Sequence, residues 1–159
     1  MSGVVQGAAL TAATMESAIR AYFEACNSGD VARIAAYFEP DAVHYFPPGM
    51  YGGPFRGALT IARKWHDAVT ALGSVWSVDQ VICDPGTRRA VIEWSHFKRR
   101  DGVLLRGDEW YVFGASGLIA EIRAYYASPQ DASLKQLELA GFDYAGRGYP
   151  MSHSDKGGR

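Results

Sequence analysis

Two adjacent carboxylates, Asp108 and Glu109, sit inside a mostly apolar and aromatic run from Leu104 to Phe113. That run reads as a strand. Successive strand side chains point to opposite faces, so the two carboxylates do not share a pocket. One faces outward and the other inward, where a carboxyl is costly unless it is paired or used. An inward carboxyl among tryptophan and tyrosine is desolvated, which raises its pKa and lets it carry a proton near neutrality. The chemistry indicated is general acid/base work. A register shift of one residue would exchange the two, so both Asp108 and Glu109 stand as candidates.

Other chemistries find little support. His44, His66 and His96 are far apart and show no second-shell pattern, so no metal is expected. Cys26 and Cys83 lack metal-ligand spacing and read as buried free thiols, which suits a reducing cytoplasm. The glycine-rich stretch 49–57 has no Gly-Lys-Ser/Thr and is not a phosphate cradle; carrying two aromatics, it reads as a loop suited to a pocket lid. Sixteen basic residues against seventeen acidic ones leave no broad basic face, so no nucleic-acid partner is expected. The cluster Lys98-Arg99-Arg100 reads as a solvated hairpin end. No run approaches the roughly 18 apolar residues of a membrane span, and residues 1–14 lack the basic and apolar segments of a signal peptide. A soluble cytoplasmic chain without a membrane partner is the expectation.

The elements that must position these groups follow from periodicity. Met15, Ile19, Tyr22, Phe23 and Cys26 lie on one helical stripe, broken at Asn27-Ser28-Gly29. Asp30 caps a second helix bearing Val31, Ile34, Ala35 and Phe38, which Pro40 is expected to stop. Ala42 to Phe46 is a short strand ended by Pro47-Pro48, and a third helix carries Ala58, Ile61, Ala62, Trp65, Ala68, Val69 and Leu72 inward up to Gly73. Strands are then predicted over 75–83, 90–98, 103–113 and 118–126, with a two-residue turn at Asp101-Gly102. That turn puts Trp94 opposite Glu109 and His96 opposite Gly107. Ser128-Pro129 opens a short helix with Leu134 and Leu137, and the chain from about Gly146 reads as a mobile tail. The whole is an α+β fold: three N-terminal helices on a curved, mainly antiparallel sheet, closing into a cone-shaped barrel. The expected division is a tail over 1–14, a domain over 15–127 and a C-terminal extension over 128–159.

The order of elements over residues 15–127 resembles the SnoaL-like branch of the nuclear transport factor 2-like superfamily. The resemblance rests on Ala21-Tyr22-Phe23 before Cys26-Asn27-Ser28-Gly29-Asp30, on Tyr37-Phe38-Glu39-Pro40-Asp41-Ala42-Val43, and on Gly117 to Tyr126. That fold hosts isomerases, dehydratases, cyclases, epoxide hydrolases and non-catalytic adaptors, so it does not by itself give a function. Among its members the ketosteroid isomerases are similar in placing a helix-one tyrosine and a protonated strand acid in an oxyanion hole. Those positions fall here on Tyr22 and, by a gapless count, on Glu109. The family's aspartate base falls on Phe46, so steroid isomerisation is not implied. His44, two residues earlier on the same strand face, is a replacement base, with His96 second. The epoxide hydrolase pattern wants a carboxylate where this chain has Ala124, whereas a dehydratase-like pattern keeps the tyrosine at Tyr22.

The reading is a cofactor-independent lyase or isomerase acting on a small, largely apolar carbonyl or hydroxyl compound. Its catalytic candidates are Tyr22, His44, Glu109, His96 and Asp108, with Phe46, Tyr51, Trp65, Trp76, Trp94 and Tyr126 as pocket wall. A non-catalytic ligand-binding or assembly domain is the alternative. The resemblance also implies a homodimer through the outer sheet face, where Trp110 supplies apolar area if Glu109 points inward.

Overall fold

The computed structural model describes residues 9–126, 139–149 and 151. Helix α1 (Ala12–Ser28) begins three residues before Met15, because Thr11 and Thr14 form a reciprocal cap in which each side chain accepts the other's backbone N–H. It ends at Gly29, whose φ of 68° gives the left-handed turn that other residues resist. Met15, Ile19, Tyr22, Phe23 and Cys26 are all buried. Helix α2 (Val31–Ala35) is a single turn capped by Asp30, shorter than expected. Proline disfavours helical backbone in the residue before it, so Glu39 is already extended and Phe38 opens strand β1 (Phe38–Tyr45). Pro40 therefore lies inside a strand, within the stretch where the register slips between Phe38 and Val43.

The glycine-rich segment is not loop throughout: Phe55–Arg56 forms a short strand, β2, paired with His44 and Val43. Helix α3 (Ala58–Leu72) lays Ala58, Ile61, Ala62 and Trp65 into the core. Strands β3 (Ser74–Asp84), β4 (Arg89–Lys98), β5 (Val103–Phe113) and β6 (Ile119–Tyr125) follow. The six strands form one sheet in the order β2-β1-β6-β5-β4-β3, antiparallel except where β1 runs parallel to β6. Helices α1 and α3 pack on this sheet and α2 packs against both of them, giving an α+β architecture of the cone type.

The β4–β5 hairpin turns differently from the expectation. Lys98 pairs with Val103, so the turn spans four residues, 99–102, and Trp94 faces Gly107 while Glu109 faces Ile92. The cause is a tie to α3. The Arg99 and Arg100 guanidiniums and the Arg100 backbone N–H donate to the terminal carbonyls of α3, from Thr70 to Gly73. The basic cluster is a helix C-cap rather than free surface charge. A slip of two residues preserves the face of every side chain.

The helix expected from Ser128 falls outside the described residues. Residues 139–149 do not project as a tail: Phe142 and Leu139 pack with Tyr45 on the outer sheet face, and Arg147 donates twice to Glu121. Cys26 and Cys83 are free thiols, the first buried and the second partly exposed. No described helix is long and apolar enough to cross a membrane.

Candidate functional site

Twelve side chains from α1, α3, β1, β3, β4, β5 and the segments beside β2 and β6 converge on one cavity. Tyr22, His44, His96 and Glu109 are among them, as are Phe46, Tyr51, Trp65, Trp76, Trp94 and Tyr126. Asp108 is not. It is exposed on the outer face, paired with Glu93, because strand alternation sends it opposite to Glu109. No arginine pairs with Glu109 among the described residues: Arg106 donates to Ser95 on the outer face, and Arg123 bonds Glu121 and Tyr149.

Glu109 is 8% exposed. Its Oε2 accepts from the Tyr111 hydroxyl at 2.7 Å, two residues along the same strand face. Burial pushes its carboxyl up to about 7 despite that bond. Its cross-strand neighbour on β6 is Ala124, whose small side chain supplies no polar group.

His44 is 1% exposed and stacks face to face on Phe46, with ring centroids 4.1 Å apart. Its Nε2 lies 3.7 Å from Glu109 Oε1, too long for a hydrogen bond. Burial lowers the imidazole to about 3, so at neutral pH this is a neutral histidine beside a partly protonated carboxyl, not an ion pair. The nearest partner of Nδ1 is the Tyr45 carbonyl at 3.4 Å. A carbonyl only accepts, which assigns the proton to Nδ1 and leaves Nε2 as an acceptor facing Glu109.

Tyr22 is 2% exposed, and its hydroxyl accepts from Trp65 Nε1 at 2.9 Å. The Cys26 sulfur, a weak acceptor, faces the hydroxyl proton, so a ligand oxygen competes with it for that proton. Burial, then the neighbouring Cys26 and Glu109, hold its ionisation well above the usual tyrosine range, so it stays protonated at neutral pH. His96 stacks on Trp76, and its Nε2 is 2.8 Å from Ser74 Oγ. Burial and the Lys98 charge lower it to about 4. His66 lies off the cavity and meets the Gly29 carbonyl at 2.8 Å.

The cavity is nearly shut. Its volume is about 30 Å³, room for a water or two. Tyr51, at a φ of 57° just before Gly52, lays its ring against Phe46, Phe55 and Trp65 and forms part of the closure. Tyr111, Phe23 and Cys26 belong to the site and were not among the expected residues. The signal for Tyr111 was its spacing of two from Glu109. Among the described residues no cluster of three metal-ligating side chains occurs.

A search of curated proteins finds no match. Among solved structures, a protein of unknown function with cystatin-like fold from Methylobium petroleophilum PM1 is 52% identical, with a TM-score of 0.87 over 94% of this chain and 99% of that one. A putative polyketide cyclase from Sinorhizobium meliloti is 20% identical, with a TM-score of 0.57 over 70% and 97% of the two chains. The epoxide hydrolase/cyclase-like enzyme SalBIII, of pyran ring formation in salinomycin, is 13% identical, with a TM-score of 0.61 over 74% and 94%. The last two are likenesses of fold. The SnoaL-like domain model matches residues 19–122, and the chain belongs to that family.

Proposed function

We propose that the chain is a cofactor-independent acid/base enzyme, a lyase or isomerase, acting on a small and largely apolar carbonyl or hydroxyl compound. The observation that carries this reading is Glu109, a carboxyl held in an aromatic cavity by Tyr111 and lifted to about 7. A group half-protonated at neutrality both takes and returns a proton with little driving-force loss. Tyr22, a hydroxyl that keeps its proton, donates to the oxygen on which charge develops. His44 Nε2 is the acceptor beside Glu109 that receives or relays the proton. Burial makes His44 a weak resting base, so Glu109 takes the leading proton-transfer role. The cyclase and cyclase-like names of two fold neighbours agree with carbonyl and hydroxyl substrates. A homodimer through the outer face around Trp110 belongs to the same reading.

A second reading is a ligand-binding domain without turnover. It is favoured by Phe46, an apolar ring where the resemblance to ketosteroid isomerases called for a base.

The test is a turnover screen on β-hydroxy ketones and β,γ-unsaturated ketones with three proteins. Glu109→Gln is expected to lose about 10²-fold or more in kcat, and Asp108→Asn to match the parent. Turnover that survives Glu109→Gln overturns the assignment.

A further inference from the structure

Trp94 is 4% exposed and forms part of the cavity wall. Its Nε1 is the one buried side-chain nitrogen or oxygen among the described residues without a hydrogen-bond partner. An indole N–H donates and does nothing else, and buried donors are ordinarily paired. The contrast with Trp65 is direct, since that indole gives its proton to Tyr22.

A second observation concerns the residue across the sheet. Gly107 pairs with Trp94 in the middle of β5, where glycine weakens a strand and marks a close approach. A Cβ there would lie 2.7 Å from Trp94 Cζ2, 3.2 Å from Cε2 and 2.9 Å from the Tyr126 Cβ. Cε2 and Cζ2 belong to the nitrogen-bearing edge of the indole. The absent side chain therefore clears room for that edge, and Tyr126 packs against the same ring at 5.2 Å.

We infer that Trp94 is a specificity-determining residue whose Nε1–H is a second anchor for the ligand, accepting a molecule with two oxygens rather than one. The inference rests on the cavity being the ligand site proposed above. One oxygen meets Glu109 and Tyr22. The other, a carbonyl, ether or hydroxyl, accepts from Trp94, whose strand position is two residues removed from the Glu109 level, or roughly 7 Å of strand. The ligand class is a largely apolar diketone or hydroxyketone.

The test uses trans-decalin-1,5-dione and trans-1-decalone, which share a skeleton and differ by one oxygen. Binding to the parent and to Trp94→Phe is measured by calorimetry. The four tryptophan indole N–H resonances are followed by NMR on 15N-tryptophan protein, the one lost in the variant being Trp94. The dione is expected to bind the parent about 10-fold more tightly than the monoketone, as one added hydrogen bond of about 1.4 kcal/mol gives. Trp94→Phe is expected to bring that ratio to within about twofold. The Trp94 proton should move downfield on saturation with the dione. A stationary Trp94 resonance in the saturated complex or a retained ratio overturns the inference. If the monoketone binds and shifts Trp65 while Trp94 stays still with both ligands, only this inference falls. If neither ketone binds at millimolar concentration, it falls together with the proposed function.

Discussion

Glu109 and the two cavity histidines move stability with pH in opposite directions. A carboxyl lifted from 4.5 to about 7 on folding makes the native state bind more protons than the unfolded chain across that interval. Stability from this group is therefore full below about 4.5 and lost as pH rises toward 7, by on the order of 3 kcal/mol. His44 and His96, lowered from 6.5 to about 3 and about 4, work the other way: the unfolded chain binds more protons, and stability is lost as pH falls from 6.5. Between about pH 4.5 and 6.5 the carboxyl offsets one of the two histidines, and the other still makes stability fall on acidification. Glu109→Gln removes the carboxyl's part. We expect the variant to be more stable than the parent at pH 8 and to lose stability steeply on acidification below 6.5, read by urea denaturation across pH. Tyr22→Phe behaves differently, because its hydroxyl is also the acceptor for Trp65. Losing it strands a buried donor at a cost of about 1–3 kcal/mol, so both melting temperature and turnover should fall. The inward pointing of Glu109 was legible in the sequence as one of two choices, since strand alternation admits no third. The bonds from Tyr111 to Glu109 and from Trp65 to Tyr22 were not, because they depend on rotamers and on the meeting of distant elements.

At the scale of elements, the β4–β5 hairpin and the end of α3 form one unit. The Asp-Gly pair at 101–102 is a strong local signal for a two-residue turn, yet the turn takes four residues. Arg99 and Arg100 bond the helix-terminal carbonyls, and this long-range gain overrides the local preference. No single-segment reading contains it. The strand limits of β5 were read correctly from the alternation alone, and the cavity face survived the wrong register because the slip was even. Pro40 was read as the stop of a helix when it interrupts a strand, since its effect on Glu39 acts one residue earlier than its own ring does. Arg100→Ala should cost about 0.5–1 kcal/mol in chemical denaturation, with faster hydrogen exchange confined to the last turn of α3 and the hairpin end. Unchanged exchange there would mean that water caps the helix equally well.

The molecule as a whole has an inner face that lines a narrow cavity and an outer face that is half covered. Residues 139–149 lie over Tyr45 and Tyr125, while Trp110 and Ile82, 42% and 71% exposed, remain open beyond them. The homodimer of the proposed reading uses this open half. Sedimentation equilibrium at micromolar concentration is expected to give twice the 17.3 kDa chain mass, and Trp110→Asp to give the monomer. A monomeric parent would remove the dimer and leave the cavity chemistry untouched. The inner face has a consequence in time as well as in space. A cavity of about 30 Å³ does not admit a ligand until its walls part. The open fraction then scales the apparent affinity, so a site open about one part in a hundred binds about a hundredfold more weakly than its contacts allow. Association should accordingly stop accelerating at high ligand concentration and level off at the rate at which the Tyr51 side of the cavity swings clear.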